Sequence, residues 1–162
     1  MAFIDEDHDD PQKFSSFYNV NGGVGYGGVN MVEDVKVVQF FLKRIFSVGV
    51  AQDRPWGEMV VDGKVGPITR AWIVKFQSNL RKLGGNVLVD GVIDKAGAEN
   101  NPSNWDTSVS KTNYTIRLLN TNLLKLDTEV YKTLESHPVV PPDVRIIFGQ
   151  IKAAGPAMHY NI

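Results

Sequence analysis

The chain of 162 residues contains no cysteine, only three histidines and no long apolar run. Each shortage removes a class of function. Without thiols there are neither disulfide staples nor thiolate metal sites. His8, His137 and His159 are scattered, with no H-E-x-x-H setting, so no zinc site is expected. No G-x-S-x-G turn presents a strained nucleophile. No stretch approaches the roughly 18 apolar residues needed for a membrane span. The first ten residues are acidic, where a secretory signal is basic and then apolar. The expectation is therefore a chain without a conventional signal, made in the cytoplasm, whose export to the cell wall would follow a non-classical route. One-sided charge is also missing. Net charge is −1, and Asp5, Glu6, Asp7, Asp9 and Asp10 account for much of the acid. Setting those five aside leaves 13 acidic against 17 basic residues. That surplus is too small to argue for nucleic-acid binding.

What is present suits an ordinary folded domain: 43% hydrophobic and 22% charged residues. The central stretch is Val61-Asp62-Gly63-Lys64-Val65-Gly66-Pro67-Ile68-Thr69-Arg70-Ala71-Trp72 and on to Phe76-Gln77. Asp62-Gly63 is a turn dipeptide, since Asp bonds its own backbone and Gly accepts positive φ. Gly66 suits an N-cap and Pro67 the first helical position, where a missing N–H costs nothing. Trp72, Phe76, Leu80 and Leu83 then recur at helical spacing, predicting a helix over about 67–83. Gly84-Gly85 stops it.

Three further helices are predicted. The first spans about 31–46, with Asn30 as N-cap and Glu33 completing a capping box. Its apolar stripe is Val35, Val38, Leu42, Ile45 and Phe46. The third runs unbroken over about 115–135 on Ile116, Leu119, Leu123, Leu126, Val130 and Leu134. The fourth covers about 143–154 and packs against the overhanging half of the third. The predicted core includes Val35, Val38, Leu42, Phe76, Leu80, Leu119 and Leu123.

The connections carry less. Residues 1–13 read as a flexible acidic tail. Asp5, Asp7 and Asp9 have the spacing of a calcium loop, but its sixth and twelfth positions hold Asp10 and Ser16 rather than Gly and Glu. Residues 14–20 form a short strand or extended chain. Gly23-x-Gly25-x-x-Gly28 matches a dinucleotide-binding pattern, yet no parallel strand with a terminal acid follows. A mobile glycine-rich lead-in is the expected alternative. Val60-Val61 is expected to pair briefly with Val87-Leu88-Val89. Asp62 and Asp90, as turn residues, are assigned structural duty in preference to paired glycosidase carboxylates.

The run D-G-x-x-G-P-x-T-x-A-x-x-x-x-F-Q resembles the signature of peptidoglycan-binding-domain-like modules. Upstream, Asp34-Val35-x-x-Val38-Gln39-x-x-Leu42 is similar to that family's first helix. Downstream, Val89-Asp90-Gly91-Val92-Ile93-Asp94 is similar to its second turn. Thr115-Ile116-Arg117-Leu118-Leu119-Asn120 is similar to its third helix. The match covers roughly residues 28–122. It implies an all-α fold: a three-helix bundle with a helical extension over 123–162 and a lead-in over 1–27. In it Asp34, Gln39, Asp62, Gly63, Gly66, Thr69, Phe76, Gln77, Asp90 and Gly91 are structural motif residues. Two departures stand out. Trp72 occupies a position usually small, and residues 95–113 form an insertion before the third helix. Within that insertion Trp105 is either an anchor on the core or a ligand platform.

The resemblance implies a non-catalytic module that binds peptidoglycan without a cofactor or metal. Candidate ligand residues are Tyr26, Asn30, Trp56, Arg70, Trp72 and Trp105, centred near the second and third helices around Trp72. The glycine-led form with D-G-x-V-G-P-x-T also resembles modules found with contractile injection machines, including type VI secretion. That version implies a protein partner in place of the wall.

Overall fold

The computed structural model describes residues 1–6, 16–49, 53–97 and 113–157. The elements in order are β1 (Phe3–Glu6), β2 (Ser16–Asn19), β3 (Val24–Gly25), α1 (Val32–Val48), α2 (Pro67–Lys82), β4 (Val92–Ile93), α3 (Thr115–Leu126), α4 (Thr128–Lys132) and α5 (Pro142–Ala154). With 50% helix and 10% strand among the described residues, the expected all-α class is wrong: helices are combined with two small antiparallel sheets.

The strands account for most of that correction. β1 pairs with β2, Phe3 opposite Asn19 and Ile4 opposite Tyr18. Ile4 also bridges to Pro156, and Ala157 N–H donates to the Ile4 carbonyl at 2.9 Å. The described beginning of the chain is thus held, where a flexible acidic tail was expected. Asp5 is buried and accepts from Asn19 Nδ2 at 3.1 Å, so a residue that reads as solvated is partnered inside. Asn120 covers the open edge of β2. Tyr18 N–H donates to its Oδ1 and the Tyr18 carbonyl accepts from its Nδ2, both at 2.9 Å. One side chain thereby supplies the pairing an adjacent strand would give.

β3 pairs with β4, Val24 opposite Ile93 and Gly25 opposite Val92. This replaces the expected contact of 60–61 with 87–89. The glycine-rich segment is therefore part of a sheet and not a mobile lead-in.

α1 begins one step later than its predicted cap. Asn30 lies at φ 56° and turns its amide back onto the glycine loop, and Met31 occupies the N-cap without a side-chain bond. The capping box with Glu33 does not form. Gly66 does cap α2 and Pro67 does open it. The predicted third helix is two helices. Asp127 ends α3, caps α4 by accepting from Val130 N–H, and pairs with Arg44 of α1 at 2.7 Å. Asp is a strong N-cap residue, and the three-four apolar spacing continues across the break without registering it.

The core sits where α1, α2, α3 and α5 converge. Val35, Val38, Leu42, Phe76, Leu119 and Leu123 are buried, and Leu80 is half-buried against them. Phe41 and Phe148 stack at 5.9 Å, with Tyr18 edge-on to both. α5 packs on α1 and β1, and Lys36–Asp143 at 2.8 Å ties α1 to its first turn. The described residues include no helix long and apolar enough to cross a membrane.

Candidate functional site

The two Asp-Gly turns are built alike. Gln39 is buried in α1, and its Oε1 accepts from Asp62 N–H and Gly63 N–H at 3.1 and 2.9 Å. Its Nε2 donates to Asp62 Oδ1, the Lys64 carbonyl and Thr69 Oγ1. Gln77 of α2 repeats this one unit later. Its Oε1 accepts from Gly91 N–H at 2.9 Å, and its Nε2 donates to Asp90 Oδ1, the Val92 carbonyl and Thr115 Oγ1. Gly63 and Gly91 stand at φ 77° and 74°, which their turns require. Asp62 accepts from Lys64 N–H and Asp90 from Val92 N–H, each closing its own turn. The Lys64 bond first, and Gln39 with it, holds the Asp62 carboxyl below its ordinary range.

These carboxylates therefore serve the turns. Beside Asp90, burial and then the Asp90 charge push the Asp94 carboxyl up. The cavity there, lined by Gln77, Asp90, Asp94 and Tyr114, is about 20 Å³, room for a water and not for a sugar ring.

The glycine loop is also internally satisfied. Asn21 and Gly22 N–H donate to Asp34 Oδ2 at 3.1 and 2.9 Å. The backbone donors that a phosphate would need are aimed at the chain's own carboxylate. Burial raises the Asp34 carboxyl, opposed by those N–H bonds and by the terminal ammonium 3.9 Å away. Asn30 bonds the Gly25 N–H and both the Gly25 and Gly28 carbonyls, so it is a loop clamp and not a ligand contact.

The remaining sequence candidates fall into two groups. Tyr26 and Arg70 are exposed and adjacent, the guanidinium 5.2 Å from the ring centre, beside Gly91. Trp72 follows Arg70 by two helical positions and so points to nearly the opposite side. It is only 7% exposed, lies edge-on to Phe46 of α1 at 5.5 Å, and donates its indole N–H to the Trp56 carbonyl at 3.0 Å. The expected centre near the second and third helices is thereby displaced: Trp72 faces α1 and the loop that precedes α2. Trp56 itself is 70% exposed. Trp105 lies outside the described residues, as do His8 and His159.

Around Trp72 a cleft of about 360 Å³ opens between the end of α1 and the loop 54–59. Phe46, Pro55, Met59 and Trp72 are its buried apolar part, and Lys43, Ser47, Arg54 and Glu58 are exposed around it. Lys43, Phe46 and Arg54 are absent from the sequence-derived candidates. Arg54-Pro55-Trp56-Gly57 is a run without periodicity, and nothing in it signals that it folds back on the last turns of α1.

Among the described residues no group of three or more His, Asp or Glu side chains could hold a metal ion. The one described histidine, His137, accepts from Val139 N–H and lies 3.8 Å from Glu129. No protein-family model, no curated protein and no solved structure matches the chain.

Proposed function

We propose that the chain is a non-catalytic binding module whose partner is a protein, of the adaptor or effector-associated kind implied by its resemblance to modules of contractile injection systems. The observation that carries this reading is the state of Trp72. A wall-polymer groove needs an open aromatic face with free polar groups beside it. Trp72 is buried, with its indole N–H already bonded to the Trp56 carbonyl. Its ring fills the position at which the resemblance calls for a small residue. The carboxylates that a hydrolase would use are bonded to their own turns, as is the glutamine of each motif.

Co-sedimentation with purified sacculi tests the reading. The purified chain is expected to stay in the supernatant and to release no soluble muropeptides. Saturable retention would return the function to wall binding. Released muropeptides would overturn the non-catalytic reading.

A further inference from the structure

We propose that the cleft formed by the end of α1, the loop 54–59 and Trp72 receives an acidic peptide segment of a partner protein. One apolar side chain sits on the buried floor, and carboxylates meet Lys43 and Arg54. This rests on the protein-partner reading above.

Shape is the first argument. A volume of about 360 Å³ is enough for one large side chain with its backbone. An apolar side chain that leaves water to sit against the floor of Phe46, Pro55, Met59 and Trp72 is favoured by the hydrophobic effect. The floor is also fixed. The Trp72 bond to the Trp56 carbonyl ties the loop to α2, and Gly57 lies against Ile68. A preformed floor spares a ligand the entropy of ordering the loop. Trp56, on the same loop, holds its own ring 70% exposed. Exposed tryptophans of this kind anchor protein interfaces.

Charge selects the partner. Each cation on the cleft has a neighbour whose charge is matched internally. Arg44, next to Lys43, pairs with Asp127 at 2.7 Å. Asp53, next to Arg54, is taken by Lys75 at 3.2 Å and by Asn79 at 2.8 Å. Lys43 and Arg54 are exposed and have no ion-pair partner among the described residues, and Glu58 is the one carboxylate in the lining. Two free cations over an apolar floor complement a segment that alternates acid with an apolar side chain. A polymer of sugar alone would leave both cations unmatched.

The test uses the full chain and a capped acidic pentapeptide, acetyl-EDLDE-amide. The indole N–H resonances of Trp56 and Trp72 report the cleft. Both are expected to shift saturably with the peptide. A serine in place of the leucine, or Lys43→Glu with Arg54→Glu in the protein, is expected to weaken binding by about tenfold or more. Both protein positions are exposed, and a thermal melt of the double variant checks that the fold is kept. Equal affinity for the charge-reversed protein overturns the proposal. So do peptide shifts confined to another surface, or tighter binding of a single-stranded oligonucleotide at the same resonances. Sacculus retention measured alongside separates the two levels. Retention defeats the protein-partner reading, whereas absence of both retention and peptide binding defeats the acidic-peptide inference alone.

Discussion

Gln39 and Gln77 hold successive Asp-Gly turns through four corresponding bonds, to which Gln39 adds a fifth from Asp62 N–H. Each amide oxygen takes the turn glycine's N–H at 2.9 Å, and each amide nitrogen reaches the turn aspartate, a backbone carbonyl and a threonine hydroxyl of the next helix. The chain from α1 to α3 is thus two consecutive units, each a helix whose glutamine closes the turn that follows. Thr69 belongs to the first turn of α2 and Thr115 opens α3, so each glutamine also fixes where the next helix begins.

Replacing either glutamine by leucine keeps most of the volume and removes every one of these bonds. Gly63 and Gly91 are buried, so their N–H groups would be left without water as well as without a partner. Gln39→Leu and Gln77→Leu should each cost roughly 2–3 kcal/mol. The two clamps share no partner, so the double variant should lose the sum to within about 0.5 kcal/mol. Chemical denaturation of the four proteins checks both figures. A coupling well above that margin would mean that the units are not independent.

The turns and the helices α1, α2 and α5 were legible in the sequence because they rest on local rules, whereas the break at Asp127 between α3 and α4 was not. Gly66-Pro67 sets the start of α2, and the spacing of Val35, Val38 and Leu42 sets the buried face of α1. Of the strands only β2 was anticipated, within 14–20; the others were not, because their partners are distant. Phe3–Glu6 is strongly charged, and only the pairing with Ser16–Asn19 and the bond between Asp5 and Asn19 make it a strand. Val24–Gly25 is too short to alternate, and its partner Val92–Ile93 follows directly on the second turn, whose Val92 carbonyl accepts from Gln77. Asn30 misled for a related reason. It is a good cap by type, and the glycine loop competes for its amide and wins. For the site, the sequence named Tyr26 and Arg70, which do meet, and Trp56 and Trp72, which also meet. The spacing of Arg70 and Trp72, two positions apart on α2, already sets the two pairs on nearly opposite sides of that helix, while the fold-back of 54–59 onto α1 has no such local signal.

Phe76 is the apolar anchor of the central helix, and only 4% of it reaches solvent. Phe76→Ala should cost roughly 3–5 kcal/mol, the transfer of the ring plus the cavity it leaves. The denaturation midpoint is the measurement, and a midpoint close to that of the parent would show that the ring is not an anchor.

Asp34 gives the chain a pH dependence of unusual sign for a carboxylate. Burial is the largest influence and raises its titration, partly countered by the Gly22 N–H, the terminal ammonium and the Asn21 N–H. A raised folded-state value means that the native chain holds the proton more tightly than the unfolded chain does. Stability from this group is therefore greatest below the ordinary carboxylate range and declines as pH rises toward the raised value. Asp62 and Asp143 act oppositely, since the Lys64 N–H and Lys36 respectively hold them low, and their contribution is lost as pH falls. Asp34→Asn isolates the first effect, because an amide oxygen can still accept the two loop N–H bonds. The stability of the parent relative to this variant should fall as pH rises through the carboxylate range. A difference that is flat with pH, or that grows in favour of the parent, would show that the buried carboxylate is fully compensated.

Trp72 allows the stability and binding roles of one side chain to be separated. Its ring packs on Phe46 and its N–H holds the loop through the Trp56 carbonyl. Trp72→Phe keeps much of the packing and removes the bond to the Trp56 carbonyl. The expected cost is about 1 kcal/mol. Trp72→Ala removes the floor as well and should cost roughly 3–5 kcal/mol. Thermal melts give the two costs, and hydrogen exchange across 53–59 shows whether the loop loosens. Trp72→Phe should accelerate exchange there while leaving α1 and α3 protected. If Trp72 plugs a groove that would otherwise accept wall polymer, Trp72→Ala should gain sacculus retention that the parent lacks, provided the variant is still folded. A parent that is retained strongly, with retention unchanged in both variants, would place wall binding on another surface and remove Trp72 from any ligand role. If the side chain instead serves a peptide cleft, both variants should weaken the acidic peptide without creating retention. Trp72→Phe should do so less, because it keeps an aromatic floor.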